Sequence, residues 1–235
     1  MPSFYCPELT EYLKQTILTG DEFHHLTHVL RHKQGDTVKL NSGKGNIARG
    51  TIVSIDKKQA VIDINEIQFT KPNSIPFAIA FSLLRNKNDE WLVEKVTELG
   101  VKDLFPITTQ FSVRNPSINT LSRFRNAALS AIKQCDNPYL PRISEVLALK
   151  KAILYIKEKG YTPVVASENV PDMWLDNLKS NVSYCVIIGP EGGFSPDEFI
   201  FLKNLGVEEI TLSNLILRAE TAAIAVAAQM NLKRK

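Results

Sequence analysis

Beyond residue 76 the chain alternates short, almost wholly apolar runs with longer stretches of helical spacing. The apolar runs lie at 77–84 (FAIAFSLL), 103–107, 163–167 (PVVAS), 183–189 and 208–212. Runs this short, without polar alternation, suit strands buried on both faces. The stretches between and after them, 89–99, 119–134, 149–159, 196–205 and 217–232, read as helices. Leu92, Val96 and Leu99 give the first helix its buried stripe, and Gly100 is its stop signal. Buried strands separated by helices predict an α/β fold with a mostly parallel sheet covered on both faces.

The N-terminal part follows a different pattern. Within 36–67, the segments DTVKLN, NIARGTIVSI and QAVIDINEI alternate with a period of two, separated by SGKGN and DKKQ. They predict a small antiparallel β unit. A helix at about Asp21–His32 precedes it, with Phe23, Leu26, Val29 and Leu30 as the apolar face. The segment FTKPNSIP (69–76) carries two prolines and marks a boundary. Two domains are therefore expected, 1–70 and 71–235.

Composition narrows the function classes. No apolar run is long enough to span a membrane, and MPSFYCPELTEYLK has no basic region followed by an apolar one. Cys6, Cys135 and Cys185 are odd in number and form no Cys-x-x-Cys pair, so a cytoplasmic protein is expected, without disulfides or a cysteine zinc site. The net charge of +3 is a weak pointer to nucleic acid. Residues 1–70 balance eight Lys/Arg against eight Asp/Glu. The surplus lies later, at Arg85, Lys87, Arg114, Arg123, Arg125, Lys133, Arg142 and the tail Lys233-Arg-Lys235. A solvated surface is the plain reading of that scatter.

All four histidines fall in HHLTHVLRH: His24, His25, His28 and His32. The i, i+4 pairs have chelating spacing, but a zincin helix needs Glu where His25 stands, so no metal is expected. A solvated helix face or an RNA-facing surface remains, and Arg31 at its end is a candidate phosphate ligand. SGKG lacks the spacing of a phosphate-binding loop and reads as a hairpin turn.

YCVIIGPEGGFSPDE (184–198) is more specific: a buried strand, two adjacent glycines, then a helix start. Ser195 is the expected N-cap, Pro196 the first helical residue, and Glu198 the partner in a capping box. Ligands of open α/β sheets sit beyond the carboxyl ends of strands, and glycines there admit close approach. A tight turn without a ligand is the plainer alternative. The second unit, EEITLSNLILRAETAAIAVAA, runs strand, loop, helix, and its loop is apolar for a surface connection. Arg218 and Glu220 follow that loop. No Gly-x-Gly-x-x-Gly follows a strand and no Gly-x-Ser-x-Gly occurs, which argues against Rossmann enzymes and α/β-hydrolases.

IGPEGGFSPDE followed by LSNLILRAETAAI resembles the SPOUT methyltransferases, and more narrowly the bacterial family that methylates uridine N3 in small-subunit ribosomal RNA. HLTHVLRHKQGD, KVTELGV and KQCDNPYLPRI agree with it, so the resemblance covers nearly the whole chain. The chain departs from that pattern at Lys133-Gln-Cys-Asp-Asn137 and at Leu212-Ser213.

The resemblance implies an N-terminal PUA-like β-barrel that binds RNA and a C-terminal sheet tied in a trefoil knot. It also implies a homodimer and S-adenosylmethionine as methyl donor. The donor pocket would be lined by Ser167 and Glu168, by Ile188, Gly189, Pro190, Gly192 and Gly193, and by Leu212, Ser213 and Leu217. Arg218 would stabilise charge on the uracil, with Glu191 or Glu220 as base or as orienting group. Arg31, Arg85, Lys87, Lys95, Arg123 and Arg125 would position phosphates. The partner would be small-subunit ribosomal RNA or the assembled small subunit. A related enzyme acting on another RNA, or a non-catalytic ribosome-assembly protein, are the alternatives.

Overall fold

The computed structural model describes residues 2–168, 170 and 173–233. Arg234 and Lys235 of the basic tail lie outside the described residues. Contacts divide the chain into two units, Met1–Pro72 with Leu129–Leu140, and Asn73–Ala128 with Pro141–Lys235.

The first unit is built on β1 (Ser3–Tyr5), β2 (Gln15–Thr19), β3 (Thr37–Asn41), β4 (Asn46–Ile55) and β5 (Gln59–Phe69), in the order β1-β3-β4-β5-β2. The three strands expected between 36 and 67 form its antiparallel centre. β1 and β2 are additions that the period-two pattern does not reveal. β1 has only three residues, and it pairs with β3 in parallel. β1 and β2 form the two edges, so the expected barrel is an open, half-barrel sheet. Phe4, Leu18, Leu26, Val38, Leu40, Ile52 and Ile62 fill its core. SGKG is the β3–β4 turn, where Ser42 Oγ accepts hydrogen bonds from the amides of Lys44 and Asn46, both at 3.0 Å.

The expected helix at 21–32 is shorter and changes type. Helix α1 (Gly20–His24) passes into a π-helical turn, His25–Val29, and the chain leaves through Arg31 at φ 57°. His24 and His28 stack at 4.7 Å, while His25 and His32 meet the edge of Phe4. Among the described residues no group of three or more His, Cys, Asp or Glu could hold a metal ion.

Residues 133–137, where the chain departs from the family pattern, hold the first unit together. Lys133 Nζ lies 2.7 Å from Glu22 Oε1, and Lys39 Nζ 2.7 Å from Asp136 Oδ2. Asn41 Nδ2 donates to Asn137 O at 2.9 Å.

The second unit is a parallel sheet of β6 (Ala78–Ser82), β7 (Asp103–Thr108), β8 (Arg142–Ile143), β9 (Leu147–Ala148), β10 (Thr162–Ala166), β11 (Tyr184–Ile188) and β12 (Glu208–Ile210). Its order is β12-β10-β11-β6-β7-β8, with β9 also on β7. β6 and β11 are wholly buried, as their unbroken apolar sequences require.

Among the described residues the α-helices of this unit are α2 (Asn88–Glu98), α4 (Leu149–Glu158), α5 (Pro196–Asn204), α6 (Ala219–Lys233) and the first part of α3 (Thr120–Cys135). In α4, Leu149, Ala152, Ile153 and Ile156 form one buried stripe at helical spacing. In α6 the stripe is Ala219, Ala222, Ala223, Val226, Ala227 and Met230, mostly alanine and buried by the helix's own chain.

Four of the surplus cations are committed to carboxylates rather than free in solvent: Arg114 to Asp89, Arg123 to Glu90, Lys133 to Glu22 and Arg142 to Asp103. Arg142 grips Asp103 through two nitrogens at 2.6 and 2.7 Å, and Tyr161 donates to the same carboxylate. Asp89 is fully buried, with Arg114 Nη1 at 2.5 Å. Burial pushes the Asp89 carboxyl above its usual range, against the pull of Arg114.

Removing one partner of a buried pair strands the other charge. Arg114→Ala should therefore destabilise the protein by about 3 kcal/mol in urea unfolding at neutral pH. In that variant the Asp89 pKa is higher folded than unfolded, so folding takes up a proton. The deficit against wild type should shrink as pH falls through the folded value. A deficit independent of pH would contradict this account of the pair.

Candidate active site

Strand order decides where the second unit can hold a ligand. β6 and β11 are parallel neighbours, yet after β6 the chain goes to β7 on one side and after β11 to β12 on the other. Crossovers that leave in opposite directions open a crevice at the carboxyl ends of the two strands. A cleft of about 680 Å³ lies there, within the size range of small-molecule pockets.

Its walls are the segments that follow four strands. Ala166, Ser167 and Glu168 come from the end of β10, Ile188–Phe194 from the end of β11, Thr211–Ser213 and Leu215–Arg218 from beyond β12, and Arg85, Asn86 and Asn88 from beyond β6. Every donor-pocket candidate of the sequence lines it: Ser167, Glu168, Ile188, Gly189, Pro190, Gly192, Gly193, Leu212, Ser213 and Leu217. So do Glu191, Arg218 and Glu220. Residues more than 50 positions apart are thus brought to one cleft.

Local hydrogen bonds hold these loops. The expected helix start is present: Ser195 Oγ accepts from Glu198 N at 3.3 Å, and Glu198 Oε2 accepts from Ser195 N at 2.9 Å, with Pro196 in the first turn. Glu198 has a second task, since its Oε1 accepts from Gln110 N at 2.8 Å. Glu191 Oε1 accepts from Arg85 N at 3.1 Å, and Glu220 Oε1 accepts from Asn88 Nδ2 at 3.2 Å. Both acidic candidates therefore tie the β6–α2 loop to the rest of the cleft. That loop carries consecutive left-handed residues, Asn86 at φ 53° and Lys87 at φ 62°. In the apolar loop, Ser213 Oγ accepts from Leu215 N at 3.0 Å, and Gln229 Nε2 reaches Leu212 O at 3.2 Å. Arg218 is exposed at the N-terminal end of α6, its carbonyl accepting from Ala222 N.

The phosphate candidates are scattered. Arg85 lines the cleft, and Lys87 is exposed just before α2. Arg125 and Arg31 are exposed, the latter in the first unit. Lys95 is paired with Glu94 and Glu98 at 2.7 and 2.8 Å, and these hydrogen bonds raise its pKa. Arg123 faces Glu90 at 3.3 Å. Sequence reasoning missed Asn86, Asn88 and Thr211 as wall residues. Asn88 carried a faint signal, an Asn at a helix start, but its bond to Glu220 spans 132 positions and leaves no local trace.

The family model for the RNA methyltransferase domain matches residues 71–231, and that for the RNA methyltransferase PUA domain matches 18–65. The chain belongs to the RNA methyltransferase family. It is 28% identical over 209 residues to ribosomal RNA small subunit methyltransferase E 2 of Borreliella burgdorferi, covering 86% of this chain and 84% of that one. It is 26% identical over 230 residues to ribosomal RNA small subunit methyltransferase E of Rickettsia conorii, covering 95% and 92%. Among solved structures, ribosomal RNA small subunit methyltransferase E from Neisseria gonorrhoeae bound to S-adenosyl methionine shares the fold. Its TM-score is 0.89 at 24% identity, over 99% of this chain and 97% of that one.

Two glycines of the cleft should respond differently to substitution. Gly193 adopts φ +71° with open space where a side chain would start, so its constraint is conformational. Gly193→Val should cost about 1–2 kcal/mol in urea unfolding, and Gly193→Asn less, because Asn tolerates the left-handed region. At Gly189 an added Cβ would lie 3.0 Å from the Phe194 ring, so there Ala itself should be harmful. Equal costs for Val and Asn at 193 would contradict the assignment.

Proposed function

We propose that this protein transfers a methyl group from S-adenosylmethionine to N3 of a uridine in small-subunit ribosomal RNA. The observation that carries the reading is the meeting of all three donor-pocket segments and Arg218 in one cleft at the sheet's switch point. The relatives from B. burgdorferi and R. conorii bear the name of small-subunit ribosomal RNA methyltransferases, and the N. gonorrhoeae neighbour is bound to the same donor.

The cleft suits that donor on its own terms. Its size fits a nucleoside-bearing ligand, and its walls join apolar Ile188, Leu212 and Leu217 to polar Ser167, Ser213 and Glu168. The glycines of the 189–193 turn leave room for close approach. When bound, the sulfonium supplies an already activated methyl group, so the protein's task is alignment and charge. Methylation breaks the sulfur–methyl bond, forms an N3–methyl bond and releases the N3 proton. Arg218 stabilises the negative charge that develops on the uracil oxygens, aided by the positive end of α6. Glu191 and Glu220 are the cleft carboxylates in a position to take the proton. Each uses Oε1 to hold a loop, and among the described residues no hydrogen-bond donor occupies Oε2.

Domain assignment follows the same reading: 1–70 as the RNA-binding PUA-like unit, which residues 129–140 join by contact, and the rest of 71–235 as the knotted methyltransferase domain, in a cytoplasmic homodimer. The dimer is proposed through the second unit. Leu215 and Ile216 are 76% and 84% exposed in the loop beside the cleft, and a second copy would cover them. The alanine stripe of α6 does not serve this purpose, since its own chain buries it. Sedimentation of the full chain should give a dimer at micromolar concentration, and Leu215→Asp with Ile216→Asp should give a monomer. A monomeric wild type would rule the dimer out.

Titration calorimetry should show S-adenosylmethionine binding, with no heat from NAD or ATP. Arg218→Ala should keep donor and RNA affinity while lowering the single-turnover rate by about a hundredfold, as for a lost oxyanion donor. Arg31→Ala should weaken RNA binding and reduce its salt slope by about one, leaving the saturated rate unchanged. If Arg218→Ala instead loses RNA affinity and keeps its saturated rate, Arg218 is a binding residue.

A further inference from the structure

The loop after β7 presents an aromatic ring for which the donor cleft has no use. Phe111 and Val113 are each 43% exposed there. They line a second hollow together with Ser112, Arg85, Glu191 and Gly192. The last three also belong to the cleft, so the two hollows share a wall.

The loop is held from several directions. Ser82 Oγ, fully buried at the end of β6, shares a hydrogen bond with Ser112 Oγ at 2.9 Å. Thr109 N donates to Ser112 Oγ at 2.8 Å, and Gln110 N donates to Glu198 Oε1 at 2.8 Å. The capping carboxylate of α5 thus also fixes the residue before Phe111. Gly192 lies close under the ring's stem, where a Cβ would stand 3.3 Å from Phe111 Cβ. Arg85, across the same hollow, forms no ion pair among the described residues.

An aromatic ring held on a hydrogen-bonded loop, beside a cation with no ion pair among the described residues, matches the needs of an unstacked base and its phosphate. Methyl transfer also requires donor and acceptor within about 3–3.5 Å, so the acceptor must occupy a space that adjoins the donor cleft. We propose that this hollow is the acceptor subsite, where the target base leaves the RNA stack and lies on Phe111, with Arg85 holding the nucleotide's phosphate. The inference rests on the reading that the adjoining cleft binds the methyl donor. It assigns to Arg85 a contact with the reacting nucleotide itself.

The test uses Phe111 variants of the full chain, S-adenosylmethionine affinity by calorimetry, and single-turnover methyl transfer to small-subunit particles at subsaturating RNA. Phe111→Ala should lower the rate by about tenfold to a hundredfold, the range for loss of one stacked base. Donor affinity and melting temperature should not change. Phe111→Tyr should restore the rate, whereas Phe111→Leu, apolar but without a π face, should behave like Ala. Wild-type rates for Phe111→Ala, or full rescue by Phe111→Leu, would overturn the stacking subsite. Loss of donor affinity in Phe111→Ala would also overturn it, by placing the ring in the donor cleft. A wild-type protein that binds no donor would refute the functional reading, and the subsite with it; that result is read from wild type alone.

Discussion

β6 and β11 lie side by side in the middle of the parallel sheet, and the chain leaves them in opposite directions. Most of the second unit's functional geometry depends on that divergence. A strand end must feed into a loop, and two loops that part company leave a gap that neither can fill. Here the segments beyond β10 and β12 close the gap from the far side, and the cleft results. The residues that sequence motifs single out are those on its walls because the motifs are the turns at these strand ends.

Turns at a cleft expose backbone amides, and three carboxylates supply fixed acceptors for them and for a side-chain amide. Glu191 takes Arg85 N, Glu198 takes Gln110 N and Ser195 N, and Glu220 takes Asn88 Nδ2. Hydrogen bonds to a charged group are stronger than neutral ones, most of all where they are shielded from water. They join loops that follow β6, β7, β11 and β12 into one frame. A frame held this way fixes the groups that line the cleft before any ligand arrives, and pre-set alignment is the main demand of a transfer from an activated donor. Glu191 and Glu220, proposed as candidate bases, consequently also hold the walls of the cleft together.

Local chemistry was legible in the sequence and long-range chemistry was not. The capping box of Ser195 and Glu198 spans four residues and was read correctly, as were the buried strands β6 and β11. The α4 stripe is likewise visible, because period and burial coincide. β1 escaped because three residues carry no period and its partner β3 is some 36 positions away, in parallel. Arg114, Arg123, Lys133 and Arg142 looked like solvated charges, since their carboxylate partners are 25 to 111 positions distant. For the same reason residues 133–137 gave no hint that they clamp the first unit. The donor-pocket candidates came from resemblance to a family; their convergence came from the sheet order, which no single motif encodes.

The claim that this cleft methylates ribosomal RNA is tested most directly in cells. Small-subunit ribosomal RNA should be digested to nucleosides and fragments and analysed by mass spectrometry, from cells with the protein, without it, and with Arg218→Ala in its place. The account predicts that one N3-methyluridine disappears without the protein, returns with wild type, and stays largely absent with Arg218→Ala. An unchanged set of methylated nucleosides in cells lacking the protein, with no other methyltransferase covering that uridine, would contradict it.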